Sequence, residues 1–266
     1  LMACGMQAGA AGGLASLATS AHAQTPKRGG RIRVAGATAA ATDTLDPAKQ
    51  SNQTDYSRGS MLYNGLTSLD GSLTPQPALA ESFTTQDAKT WVFTLRKGVV
   101  FHDGKALSPT DVVFSILRHK DPATASKAKV LADQIESVRA SGPNEVTMVL
   151  SAPNADLPVI LGTFHFCIVK DGTTDFNAGI GTGPYKLKEF KPGVRSLMVR
   201  NEAYWKPGKP YLDEIEFVGI GDETARVNAL LSGGMDLVAS VNPRSVARVK
   251  STPGYAIFTT QSGQYS

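Results

Sequence analysis

Residues 91–115, W-V-F-T-L-R-K-G-V-V-F-H-D-G-K-A-L-S-P-T-D-V-V-F-S, specify three elements in one unbroken run. Trp91, Phe93 and Leu95 alternate with Val92, Thr94 and Arg96, the period of a strand that buries one face. His102-Asp103-Gly104 then reverses the chain, because Asp and Gly tolerate the dihedrals of a tight turn. A helix follows. Ser108 is placed to cap it, Pro109 takes its first position, and Asp111 stands three residues after the cap. Val113, Ile116 and Leu117 are expected to form its apolar face.

The same reading extends along the chain. Gly30 to Gly36 reads as a first strand with Ile32 and Val34 on one face, and residues 37–53 as small, polar and irregular. Asp55 to Leu66 reads as a helix with Met61, Leu62 and Leu66 inward. Between 124 and 150, Leu131, Ile135 and Val138 have helical spacing. The turn cluster Ser141 to Asn144 and the alternation of Val146, Met148 and Leu150 favour a short helix followed by a hairpin. G-T-G-P-Y at 181–185 is a turn into a strand, and 194–200 is its partner. Then come a strand at 212–220 and a helix capped by Asp222, with Val227, Leu230 and Leu231 on one face. A strand at 235–240 precedes a helix opened by Asn242-Pro243, and a last strand lies at 255–260. This β-α-β-α-β succession predicts parallel strands with right-handed crossovers.

Composition narrows the chemistry. Hydrophobic residues make up 41% of the 266, ample for a core. The net charge of +4 is scattered, without the aromatic-studded basic patch of a nucleic-acid surface, so no nucleic acid is expected. His102-Asp103 is the only His-Asp pair, and there is no G-x-S-x-G elbow, so both side chains are expected to hold backbone groups in their turn. His22, His102, His119 and His165 lack metal-ligand spacing, and no phosphate loop is present; neither metal nor cofactor is expected. Trp91, Phe93 and Phe101 read as core, and Trp205 as the anchor of a loop. Cys167, in the apolar run L-G-T-F-H-F-C-I-V, reads as a buried thiol. Residues 1–26 carry no Asp, Glu, Lys or Arg. Residues 1–23 read as an export signal without its basic start, with Ala21-His22-Ala23 as the cleavage site. Their low hydrophobicity suits the twin-arginine route, while Leu1-Met2-Ala3-Cys4 resembles a lipoprotein box as the alternative.

The 91–115 run resembles the extracytoplasmic solute-binding proteins of ABC importers, in the peptide, oligopeptide and nickel group (family 5). That family carries W-x-F-x-L-R-x-G-V-x-F-H-D-G followed by a D-V-x-F-S helix. T-L-D-P at 44–47, Y-N-G-L at 63–66, G-T-G-P-Y at 181–185, N-E-A-Y-W-K at 201–206 and S-G-G-M-D-L at 232–237 extend the likeness. The resemblance implies an α/β fold: a periplasmic-binding-protein-like (type II) lobe from 24–63 plus 170–266, with an inserted α+β subdomain at 64–169. It also implies that the second lobe is missing from this chain, which then corresponds to the front half of such a protein. By the same resemblance, Ser51, Asn52 and Gln53 touch the ligand, with His165 near the cleft. Asn52→Ala would then weaken binding with little change in fold. The implied partners are a peptide-like or other small polar solute and a membrane permease, with the protein exported to the periplasm, monomeric and not an enzyme. A secreted hydrolase, or a receptor or chaperone module on the same fold, are the alternatives.

Overall fold

A computed structural model describes residues 26–259. The expected export signal, its cleavage site, Cys4, His22 and Thr260 to Ser266 lie outside the described residues.

In chain order, β1 (Arg31–Gly36) is followed by a 3-10 turn at Pro47–Lys49 and by α1 (Gln53–Leu62). Next come β2 (Thr67–Leu69), β3 (Pro75–Pro77), β4 (Ala80–Thr85), β5 (Thr90–Leu95) and α2 (Pro109–Lys120). They lead to α3 (Lys129–Ala132), β6 (Ile135–Gly142), β7 (Glu145–Leu150) and α4 (Leu157–Ile160). The last group is β8 (Tyr185–Lys191), β9 (Arg195–Arg200), β10 (Glu214–Gly219), α5 (Glu223–Leu231), β11 (Leu237–Val238) and α6 (Pro243–Ser251).

Two main sheets divide the chain. One is antiparallel, in the order β4-β5-β7-β6. The other is mixed, in the order β11-β1-β10-β9-β8. As the alternation requires, β5 buries Trp91, Phe93 and Leu95 and turns Val92 and Thr94 away from the centre of the core. Phe101 is buried too, and Phe83, Trp91 and Phe93 pack with ring centroids 6.1–6.5 Å apart. This first core runs from Leu66 to Ile168. A second joins Val34, Leu45, Leu62 and Tyr63 to Tyr185, Met198, Ile215 and Phe217 beneath the mixed sheet.

The capped helix forms as its residues dictate. The Ser108 N–H donates to Asp111 Oδ2 at 2.8 Å, and Ser108 Oγ donates to the same oxygen at 2.6 Å. Its buried face, however, is Val112, Ser115, Ile116 and His119, while Leu117 is 47% exposed and Val113 half-buried. The phase is set by two polar residues that find buried partners. Ser115 Oγ donates to Asp111 O and accepts from Val169 N, and His119 Nδ1 pairs with Ser126 Oγ at 2.7 Å. Val113 and Leu117 line an outward groove instead, with Phe114 and Val138.

Three boundaries differ from the sequence expectation. The first helix starts at Gln53 and ends at Leu62, so Leu66 is buried by the following segment rather than by the helix. The strand expected at 235–240 shrinks to two residues, flanked by Asp236 N→Arg33 O and Ala239 N→Ala35 O bonds. No strand forms over Tyr255 to Thr259. Tyr255 instead packs on α5, its hydroxyl donating to Leu230 O at 3.0 Å, and Ile257 joins the same cluster. The parallel relation holds in another form: β10 and β11 are each parallel to β1, which lies between them. The short helix at 129–132, the hairpin at 142–145, and the helices capped by Asp222 and Asn242 form as expected.

Candidate functional site

The parallel strands β11, β1 and β10 all end at one edge, at Val238, Gly36 and Gly219. The chain leaves β10 on one side of β1 and enters β11 on the other. The carboxyl end of β1 is therefore a switch point, the position where open α/β sheets bind ligands. Helices α5 and α6 begin at this edge, capped by Asp222 and Asn242, and α1 is drawn to it. Thr38 Oγ1 donates to Asn52 Oδ1 at 2.8 Å and lies 2.7 Å from Thr54 Oγ1. Ser240 Oγ reaches Gln53 Oε1 at 3.4 Å. A Cβ on Gly36 would come within 2.6 Å of Thr54 Oγ1, so only glycine lets α1 start this close to β1. Ser240 itself sits at φ 55°, a left-handed conformation that costs a non-glycine residue energy.

This geometry brings Ser51, Asn52, Gln53 and His165 together. His165 Nε2 donates to Gln50 O at 3.0 Å, which ties the 164–166 turn to the loop before α1. Ser51 and Gln53 are exposed. Asn52 is committed to the fold: its Oδ1 accepts from Asp55 N and Thr38 Oγ1, and its Nδ2 donates to Asp55 Oδ2. Asn52→Ala would therefore disturb the start of α1, contrary to the expectation of an unchanged fold. Two further residues join the site. Tyr56 and Phe164 stack with centroids 4.7 Å apart and an interplanar angle of 14°, and His165 meets Tyr56 edge-on at 5.6 Å. Phe164 remains 56% exposed. The flanking of His165 by two phenylalanines was the available signal for Phe164. Tyr56 had none stronger than its place one helical turn after Gln53.

The charges here are turned inward. Arg58, fully buried, donates to Asp55 Oδ1 at 2.7 Å, Asp43 Oδ2 at 3.1 Å and Ser196 Oγ at 3.0 Å. Burial pushes Asp55 up to about 6 even so, with Arg58 opposing and Asp43 adding to the rise. Arg226 is buried against three carbonyls, of Ile220, Gly221 and Ser240, and so staples two strand-end loops. Residues 37–42, 50–57, 163–166, 220–221 and 239–242 include one carboxylate, the buried Asp55, and no Lys or Arg.

Other sequence motifs meet at a structural joint. Gly181 N donates to His102 Nδ1 at 3.2 Å, and His102 Nε2 donates to Gly183 O at 3.1 Å. Burial lowers the His102 pKa from its ordinary value, which suits this neutral tautomer. Asp103 pairs with Lys170 rather than with the histidine. A Cβ on Gly181 would lie 2.0 Å from Leu62 O, and one on Gly183 would lie 2.4 Å from Met61 O. Asn64 Oδ1 accepts from Trp205 Nε1 at 2.9 Å, which anchors the loop at 205, and Asn201 Nδ2 donates to Gly183 O. Cys167 is half-buried rather than buried; its thiol, pushed up to about 12 by desolvation, donates to Phe164 O. No group of three His, Cys, Asp or Glu side chains among the described residues is arranged to hold a metal.

Comparison with known proteins agrees with this architecture. Residues 74–266 match the family described as bacterial extracellular solute-binding proteins, family 5 Middle. Heme-binding protein A of Haemophilus influenzae is 31% identical over 247 residues, covering 81% of this chain and 45% of that protein. The dipeptide-binding protein of Escherichia coli is 32% identical over 239 residues, covering 77% and 44%. Among solved structures, AgaA of A. tumefaciens in complex with agropinic acid superposes with a TM-score of 0.78 at 28% identity, over 84% of this chain and 46% of that one. AppA of Bacillus subtilis, in complex with a nonapeptide, gives 0.77 at 25% identity, over 86% and 47%. The chain thus spans under half the length of each of these relatives, and its fold is the α/β periplasmic-binding-protein type. It belongs to the bacterial extracellular solute-binding proteins of family 5.

Proposed function

We propose that this chain supplies one lobe of the solute-binding component of an ABC importer. The protein captures a peptide-like or other small polar solute without covalent chemistry and delivers it to a membrane permease. Residues 24–63 and 170–266 form the lobe, and 64–169 form a subdomain inserted into it. Residues 1–23 direct export to the periplasm by the twin-arginine route. The protein acts as a monomer, needs no cofactor and performs no catalysis. One observation supports the reading: the loop of exposed Ser51 and Gln53 lies at the strand-end edge, with His165 tied to Gln50 O and the exposed Phe164 ring stacked on Tyr56. The relatives' printed ligands, a dipeptide, a nonapeptide, agropinic acid and heme, set the range of solutes to try. Calorimetry on the natural-length protein with tri-alanine and with the wider series tests it. Gln53→Ala and His165→Ala are expected to weaken the best ligand at least about tenfold, the loss expected for buried polar contacts. Unchanged affinity in both variants would remove this edge from the binding site.

A further inference from the structure

The strand-end edge has a chemical character that its polar residues alone do not convey. Tyr56 and Phe164 form a parallel pair, and Phe164 keeps more than half of its surface open. The pair is held from behind. Tyr56 is fixed on α1, His165 packs edge-on against Tyr56, and the same histidine is tied to Gln50 O. A ring ordered in this way loses little freedom when a further planar group lies on it, which makes it a preformed stacking surface.

The charge pattern points the same way. The chain carries 27 Lys and Arg and 23 Asp and Glu residues. None of them offers an exposed charge from 37–42, 50–57, 163–166, 220–221 or 239–242. Asp43, Lys49, Arg58 and Asp222 border these stretches, and Glu223 and Arg244 lie two residues away; Asp222 caps α5 and Glu223 Oε1 accepts from Asn242 N, while Lys49 and Arg244 are exposed at the margin. Asp43, Asp55 and Arg58 satisfy one another in the interior. The stretches that hold the ring pair carry no exposed charge of their own, and an uncharged planar group would find a ring to stack on.

Resting on the reading of this edge as the ligand site, we infer that Phe164 is a specificity-determining residue. It selects solutes that present an uncharged planar or aromatic group to this lobe. Tyr56 holds the ring in place, with His165 packed edge-on against Tyr56. Charged groups of the solute are then recognised away from the Phe164 ring.

The test uses the natural-length protein and six tripeptides, built on tri-alanine with Phe or Ser at one position at a time. Wild type is expected to prefer Phe over Ser at one position by roughly threefold to tenfold, the worth of an aromatic stack. Phe164→Ala should abolish that preference and leave the Ser member's affinity in place. Val130→Ala, at an 81% exposed apolar position on α3, should keep it. Equal weakening of both members by Phe164→Ala, or no Phe preference at any position, overturns the inference and leaves solute binding standing. If no tripeptide binds, the peptide reading fails. Saturation-transfer NMR with N-acetylphenylalaninamide then decides the stacking surface by itself. A signal present in wild type and lost in Phe164→Ala supports it, and equal or absent signals overturn it.

Discussion

His119 shows how one side chain carries a testable consequence. It is 1% exposed, with Nδ1 on Ser126 Oγ and its ring 4.8 Å from that of Phe166. Burial, with Arg118 and His165 adding repulsion, moves it from 6.5 down to about 4. Between those values the unfolded chain binds the proton and the folded chain does not. Stability from this group is therefore complete above pH 6.5 and lost as pH falls toward 4, by about 3 kcal/mol over the full interval. Asp55 acts in the opposite sense. Its folded value of about 6 lies above its ordinary 3.8, so the folded state holds the extra proton and gains stability as pH falls through that window. Comparing His119→Gln with wild type at each pH cancels the Asp55 contribution. Urea denaturation from pH 7 to pH 4.5 should show wild type losing stability relative to the variant. Parallel stability curves for the two proteins would show that His119 is not held neutral by the fold.

At the scale of elements, the strongest sequence signals turn out to be joints. F-H-D-G, Y-N-G-L, G-T-G-P-Y and N-E-A-Y-W-K converge where α1 ends against the 181–183 loop, through His102, Asn64 and Asn201. Backbone approaches that close admit no Cβ. Gly181→Ala should therefore destabilise by at least about 3 kcal/mol or prevent folding, because the new atom meets the Leu62 backbone. Gly71→Ala, with open space around it, should stay within about 1 kcal/mol of wild type. Similar denaturation midpoints for the two variants would refute the joint. Alternation and caps made β5, α2, the 142–145 hairpin, α5 and α6 legible in the sequence, because those signals are local. The inward face of α2 was not, because Ser115 and His119 earn burial from Val169 and Ser126, which are partners that no periodicity reveals. The site followed the same rule. The loop at Ser51 to Gln53 became a candidate through the family resemblance, whereas Tyr56 meets Phe164 only across the fold.

The whole molecule is unevenly packed, and that makes its own prediction. The sheet β4-β5-β7-β6 lies over a continuous core from Leu66 to Ile168. Among the described residues, the segment from α5 to α6 rests on a cluster with three buried apolar residues, Val227, Leu230 and Val249. Its strand β11 is two residues long and lies at a sheet edge; Leu237 within it and Phe258, after α6, are exposed. Local opening free energy follows buried contacts, so this segment should open well before the sheet does. Hydrogen exchange by mass spectrometry on the natural-length protein should find the amides of β5 and β7 slowest and those of α6 among the fastest in regular structure. Saturating ligand should slow exchange at the start of α1 and at 239–242, the two loops that Gln53 and Ser240 bring together, and leave β5 unchanged. Protection of α6 equal to that of β5 without ligand would mean that its stability comes from contacts beyond this chain's own packing. The strand-end edge would then be a rigid wall of the site, and ligand could no longer act by drawing its loops together.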